Sequence, residues 1–289
     1  MPGWLRPRAG QCHHHRAGNA RSAAGHEARR GGWARNTTRM IAQGGVAWRI
    51  EVHATLPSTS DIVMGAAEAG AEEGLAVLAY VQTKGRGSRG RNWDSPSGNC
   101  FVSVLLRPGG QITAAGAWPL IAALAVADAV LPLLPDPARL SLKWPNDVLL
   151  GDKKLGGILI DLAADSAGRL RWLVIGCGVN LAIAPTLPDR MAACLRDEGV
   201  DSPPPQLFAR SLLASLGKWY MKWQEGELAW IHASWLARAH PIGTRLHVRY
   251  AGHDLHGHFA GLSPDGHLLL RITDGIQTIS SGEVMLAVS

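Results

Sequence analysis

From Val46 onward, apolar and polar positions fall into strand and helix periods. The stretch VAWRIEVH alternates as a half-buried strand does. LPSTSDIVMGAAEAGAEEG follows it, with hydroxyls at Ser58, Thr59 and Ser60 suited to cap a helix running toward Gly70. LAVLAYVQ and NCFVSVLLRP read as buried strands flanking the polar loop QTKGRGSRGRNWDSPSGN at residues 82–99. An Ala-rich helix, a strand LSLK, a turn WPND and a hairpin-like VLLGDKKLGGILIDLA come next, with Gly151 and Asp152 supplying the turn. Another strand, LRWLVIGCGVNLAI, leads into a connection punctuated by Pro185, Pro188, Pro203, Pro204 and Pro205. Helices are expected over about residues 206–223 and 226–238.

After HPIG the texture changes to short alternating runs broken by glycine turns. Five strands in so short a segment fit a small barrel, so a domain boundary is placed near Pro241. The expected organisation is an N-terminal extension over 1–45, a first folded domain over 46–240 and a small β domain over 241–289. No internal repeat is seen.

The 289-residue chain is 46% apolar and 18% charged, a globular composition that implies a sizeable core. The formal charge of +6 is not spread evenly. Residues 1–39 hold eight arginines against Glu27 alone, a net +7, which leaves −1 for the rest. A near-neutral body argues against a nucleic-acid face. The extension lacks apolar periodicity and is expected to be disordered. It is open to three readings: a targeting segment, an over-extended start with Met40 as the first residue, or a tail without function. Cys12, His13, His14 and His15 stand together there without a frame to fix ligand geometry, so no metal site is read from them. Cys100, Cys177 and Cys194 are far apart in apolar settings and suit reduced core thiols of a cytoplasmic protein. Residues 114–134 approach the length of a membrane span. Pro119 and Pro132 shorten the helix, alanine dominates and no basic flank anchors it, so a core helix is expected and no membrane association.

The loop KGRGSRGRNW admits three readings: an RG-type nucleic-acid segment, a surface turn, or a phosphate clamp. For the clamp, Gly85, Gly87 and Gly90 would let backbone approach a ligand while Arg86, Arg89 and Arg91 offer charge and donors. Its spacing matches neither the Walker pattern nor the dinucleotide fingerprint. Its company decides: Trp93 can stack on a base, and PSTS, KWPNDV and KKLGGILID recur at strand ends.

Together, Ser58-Thr59, GRGSRGRNW, KWPND, KKLGGIL and GCGVN resemble the biotin protein ligase family, in this order, from about Ser58 through Asn180 and more weakly through the C-terminal segment. The resemblance implies an α+β fold: a mixed central sheet with helices, like class II aminoacyl-tRNA synthetases, plus a C-terminal SH3-like β-barrel. It implies an enzyme that joins biotin to ATP, with Mg²⁺, and passes the biotinyl group from biotinyl-5'-AMP to a lysine of a biotin carboxyl carrier protein of acetyl-CoA carboxylase or a related carboxylase. By motif position, Ser58, Thr59, Ser60, Gln82 and Arg86 would meet biotin. Lys154 would neutralise charge between the biotin carboxylate and the α-phosphate. Gly85, Gly87, Ser88, Arg89, Gly90 and Arg91 would line the phosphates, and Trp93 would cover adenine. Lys143, Asn146, Asp147, Gly156 and Gly178 would face the same pocket, and Asn180 would reach the nucleotide or its metal. Asp147 would either coordinate Mg²⁺ or orient the carrier lysine. The catalytic set is thus Lys154, Arg86 and Asp147, with no dedicated metal ligand.

Two features depart from the family pattern. Ser88 stands where members have an arginine, which implies weaker retention of the activated intermediate. No winged helix-turn-helix pattern is present, so specific DNA binding is not expected. The rival readings are a lipoate-type ligase and, in another class, an RNA-binding module using the Arg-rich tail and loop. Exposed edge strands leave a homodimer open.

Overall fold

The computed structural model describes residues 36–43, 45–186, 191–250 and 252–286. β1 (Asn36–Gln43) and β2 (Val46–Leu56) form an antiparallel pair, and β2 runs parallel to β3 (Leu75–Gln82). That parallel step is made by α1 (Thr59–Glu68), which crosses back over one face of the sheet. β4 (Cys100–Leu106), β5 (Leu140–Lys143), β6 (Asp147–Leu150), β7 (Lys153–Ala164) and β8 (Leu170–Val179) add antiparallel neighbours. The result is a mixed eight-stranded sheet ordered β1-β2-β3-β4-β8-β7-β6-β5.

β4 is buried along its whole length because it is central and covered on both faces, which explains its unbroken apolar run. Val102, Val104 and Leu106 face α2 (Ala117–Val130) and α3 (Pro205–Gln224), in the same core as Trp118, Ile121, Phe208 and Leu212. Leu105 faces the opposite way, toward Val63 and Ala67 of α1. α2 is buried nearly all round, as its Ala-rich composition suggests, and α4 (Leu228–Leu236) packs beside it. Among the described residues no helix is long and apolar enough to cross a membrane.

β9 (Arg245–Tyr250), β10 (His253–Leu262), β11 (Leu268–Ile272), β12 (Gly275–Ile279) and β13 (Glu283–Leu286) form an antiparallel sheet ordered β12-β11-β10-β9-β13. Its apolar face, including Val248, Phe259 and Leu270, joins the main core. Trp144 Nε1 donates to Gly266 O at 3.1 Å and Lys143 Nζ to Val284 O at 3.0 Å, so the two sheets meet beside the WPND turn.

One expectation needs correcting. The extension was expected to lack structure through residue 45, yet residues 36–43 form β1. Without it β2 would present an unpaired edge, and the β-branched residues Thr37, Thr38 and Ile41 suit an extended ladder. Residues 1–35, with Cys12, His13, His14 and His15, lie outside the described residues.

Candidate active site

α1 covers only part of its face of the sheet. Beside it, β4, β8 and β7 floor a cavity of about 1080 Å³, roofed by the loop between β3 and β4. The floor is shaped by glycine. A Cβ on Gly176 would come within 2.7 Å of Ser60 Oγ, and one on Gly178 within 2.7 Å of the Trp93 ring.

At one end lies the start of α1. Ser58 is the N-cap, its Oγ accepting from Asp61 N at 3.3 Å, which turns the next two hydroxyls inward. Thr59 N and Oγ1 both donate to Gln82 Oε1, at 2.8 and 3.0 Å. Ser103 Oγ lies 2.8 Å from Thr59 Oγ1 and 3.0 Å from Ser60 Oγ. Gln82 Nε2 donates to Ser95 Oγ at 3.0 Å, and Ser95 Oγ to Trp93 O at 2.9 Å.

The arginine loop is folded on itself. Trp93 N donates to Gly85 O at 2.9 Å and Gly87 N to Arg91 O at 2.8 Å, while Arg89 and Gly90 make the turn with φ of 59° and 71°. Gly85 is required, because a Cβ there would fall 2.2 Å from Trp93 O. Arg86 grips Asp161 on β7 with both terminal nitrogens, at 2.9 and 3.1 Å, and reaches Asp61 on α1 at 3.1 Å. The Asp161 hydrogen bonds raise the guanidinium pKa further, outweighing its partial burial. Arg89 and Arg91 each take one oxygen of Glu283 on β13, at 3.0 and 2.8 Å. These ion pairs hold the loop together with the packing of Trp93 over Gly157 and Gly178.

At the other end, the Lys154 ammonium lies 5.1 Å from the centroid of the Trp93 ring and bonds Asp147 Oδ1. Lys143 Nζ holds Asp147 Oδ2 at 2.9 Å. Burial pushes the Asp147 carboxyl up, but the two ammonium groups together outweigh it and hold the pKa down at about 2. Asp147 is therefore a fixed anion.

The cavity wall includes Ser58, Thr59, Ser60, Gln82 and the loop residues Gly85, Arg86, Gly87, Ser88, Arg89, Gly90, Arg91 and Trp93. Asn146, Lys154 and Gly178 complete the expected set there. Lys143 and Asp147 line an adjoining recess of about 530 Å³, shared with Arg89, Arg91, Lys154 and Glu283.

Several of the expected residues also make contacts within the fold. Trp93 lies over Gly157 and Gly178, so the indole forms a wall between the two ends. Gly156 packs against Gly178 O and Val179 instead of facing the cavity. Asn180 is buried, its Nδ2 donating to Ala193 O at 3.1 Å and Lys154 O at 3.4 Å. Through that amide it braces the backbone at Lys154. Asp147 is paired with two lysines, Lys143 and Lys154. Five participants were not among the expected site residues: Asp61, Ser95, Ser103, Asp161 and Glu283. Ser103 left one signal, a hydroxyl inside the otherwise apolar strand CFVSVLL.

Magnesium finds no cage here. Among the described residues no three His, Cys, Asp or Glu side chains are grouped to hold a metal. Asp147, Asp161 and Glu283 each have both oxygens engaged by cationic side chains. Cys100, Cys177 and Cys194 are free and buried, and burial pushes the Cys177 thiol up to about 12.

Residues 52–180 match the model of the Biotin/lipoate A/B protein ligase family and residues 242–286 that of the Biotin protein ligase C terminal domain. The chain is 37% identical over 216 residues to a biotin--[acetyl-CoA-carboxylase] ligase of Paracoccus denitrificans, covering 72% of this chain and 88% of that one. A ligase of the same name from Mycobacterium tuberculosis is 34% identical, covering 83% and 90%. Among solved structures, the biotin protein ligase of Aquifex aeolicus in complex with biotin and ATP superposes with a TM-score of 0.70 at 26% identity, covering 83% of this chain and 99% of that one. The Leishmania major enzyme in complex with biotinyl-5-AMP gives 0.56 at 29% identity, covering 80% and 98%.

Proposed function

The chain belongs to the biotin/lipoate A/B protein ligase family, and from that premise we infer that it is an ATP-dependent biotin ligase. It activates biotin as biotinyl-5'-AMP and transfers the biotinyl group to a carboxylase carrier protein. The observation that carries this reading is a single cavity with a neutral hydroxyl and amide cluster at one end and a paired ammonium beside an indole at the other. The first end suits a ureido ring, and the second suits a carboxylate meeting a phosphate. An RNA-binding reading gains nothing from arginines already paired to carboxylates.

In the first step a biotin carboxylate oxygen attacks the α-phosphorus, an O–P bond forms, and the bond to the bridging oxygen breaks as pyrophosphate leaves. Two anions must be brought together. Lys154, aimed by Asp147 and held off water under Trp93, supplies the compensating charge, preorganised at little reorganisation cost. Arg86 ties the loop across the cavity mouth, which shields the mixed anhydride from hydrolysis. Arg89 and Arg91 sit where the departing pyrophosphate would pass. In the second step the carrier lysine nitrogen attacks the acyl carbon, the C–O bond to the phosphate breaks, and AMP leaves. The proton released from the amine goes to solvent. Asp147, with a pKa near about 2, is too weak a base to take it.

Mg²⁺ would enter with ATP as the counter-ion of its phosphates, consistent with its preference for phosphate and water ligands. The carrier is a biotin carboxyl carrier protein, and the compartment is the cytoplasm. The test is transfer of labelled biotin to a purified carrier domain. Label should appear on the carrier only with ATP present, and label that appears equally with lipoate in place of biotin would favour the rival ligase chemistry.

A further inference from the structure

Ser103 contributes to no motif, and it is fully buried on β4 beneath Thr59 and Ser60. The hydrogen bonds around it can be assigned proton by proton, because both ends of the network are backbone groups of fixed sense. Thr59 N–H can only donate, so the Gln82 atom it meets at 2.8 Å is the carbonyl oxygen. Trp93 C=O can only accept, so Ser95 spends its proton there and must receive one from the Gln82 amide nitrogen. With the Gln82 oxygen pinned toward α1, the Thr59 hydroxyl also donates to it. Thr59 Oγ1 must then accept from Ser103, and Ser103, its single proton used, must accept from Ser60.

The cavity therefore receives a defined polarity. Thr59 and Ser60 have no proton left to offer and face it as acceptors, while Gln82 keeps one amide hydrogen as a donor. We propose that Ser103 is a specificity-determining positioning residue: it holds both hydroxyls in the accepting sense and so selects a ligand ring that presents N–H donors. The inference rests on the biotin reading above, whose ureido ring has two N–H groups and one carbonyl. It adds that the accepting sense of those hydroxyls is set by Ser103, a residue of the cavity floor that no motif marks. Ser103→Ala removes the acceptor of the Ser60 proton and the donor to Thr59, whose own proton stays with Gln82. Ser60 can then turn its hydrogen toward the cavity, and the pocket tolerates an acceptor where it previously required a donor.

The experiment compares, by calorimetry, biotin with a cyclic carbamate analogue in which one ring N–H is replaced by oxygen. The unaltered protein should prefer biotin by about 100-fold or more, because the analogue sets an oxygen lone pair against a hydroxyl that cannot donate. In Ser103→Ala, biotin should weaken by about tenfold and the preference should shrink by about tenfold or more, with the KM for ATP within about twofold. Ser103→Cys, nearly the same size with a weak S–H donor, should fall between the two and guards against a folding defect in the alanine variant. A preference unchanged in both variants, even with both affinities lowered in parallel, overturns the proposal and leaves Ser103 a packing residue. Failure of the unaltered protein to bind biotin at all would instead overturn the biotin reading, and the proposal with it.

Discussion

Arg86 and Asp161 meet as a two-pronged ion pair, Nη2 to Oδ1 at 2.9 Å and Nη1 to Oδ2 at 3.1 Å, joining the loop after β3 to the middle of β7. The pair spans the cavity from wall to wall. Planar guanidinium matched to planar carboxylate fixes orientation as well as distance, so this contact sets the loop's position over the site.

Asp161→Asn should therefore loosen the loop while leaving the fold alone. The pair is partly exposed, so its contribution to stability is on the order of 1 kcal/mol or less. Trypsin cleavage at Arg86 to Arg91 in the ligand-free protein should become several times faster, and the KM for biotin should rise. An unchanged cleavage rate would mean that the ion pair does not hold the loop.

Lys154→Met keeps the stem and removes the charge. Biotinyl-adenylate formation, followed in a single turnover, should fall by about 10²- to 10³-fold, the range seen when one preorganised charge-stabilising group is lost. Circular dichroism should be unaltered. Near-normal adenylate formation would remove Lys154 from the chemistry.

Asp147 links the site to stability at acid pH. Its folded pKa of about 2 lies below the ordinary 3.8, so its stabilisation is complete above about pH 4 and is lost as the pH falls through about 2. The contribution is roughly 2 kcal/mol. Urea unfolding between pH 2 and pH 5 should show a slope that flattens in Asp147→Asn. Parallel curves for the two proteins would contradict the linkage.

The glycine floor offers a test of the two-ended cavity. In Gly176→Ala the new methyl meets Ser60 Oγ, and in Gly178→Ala it meets the Trp93 ring, each at 2.7 Å. The first variant should raise the KM for biotin by tenfold or more with little change for ATP. The second should do the reverse, because the indole must move. Equal effects on both substrates from either change would deny that the ends are separate.

Much of the candidate site was legible in the sequence because its motifs gather residues that line one cavity. Thr59, Gln82, Arg86, Trp93 and Lys154 stand at strand and helix ends, where polar runs interrupt the apolar periods, and they converge in the structure. The partners of those residues were not legible. Asp161 and Glu283 look like ordinary strand carboxylates until the sheet order brings β7 and β13 to the loop. The contacts of Asn180 within the fold were not legible either, because only the close approach of residues 191–194 to Lys154 brings its amide to backbone. β1 was missed because its stability comes from the ladder to β2 and not from any apolar pattern of its own.

The strongest test of a cavity built to join a vitamin to a nucleotide is isotope exchange between pyrophosphate and ATP, measured with and without biotin. Labelled pyrophosphate should enter ATP only when biotin is present, and the exchange should disappear in Lys154→Met. Exchange that proceeds without biotin, or none at all with biotin and Mg²⁺-ATP saturating, would contradict it.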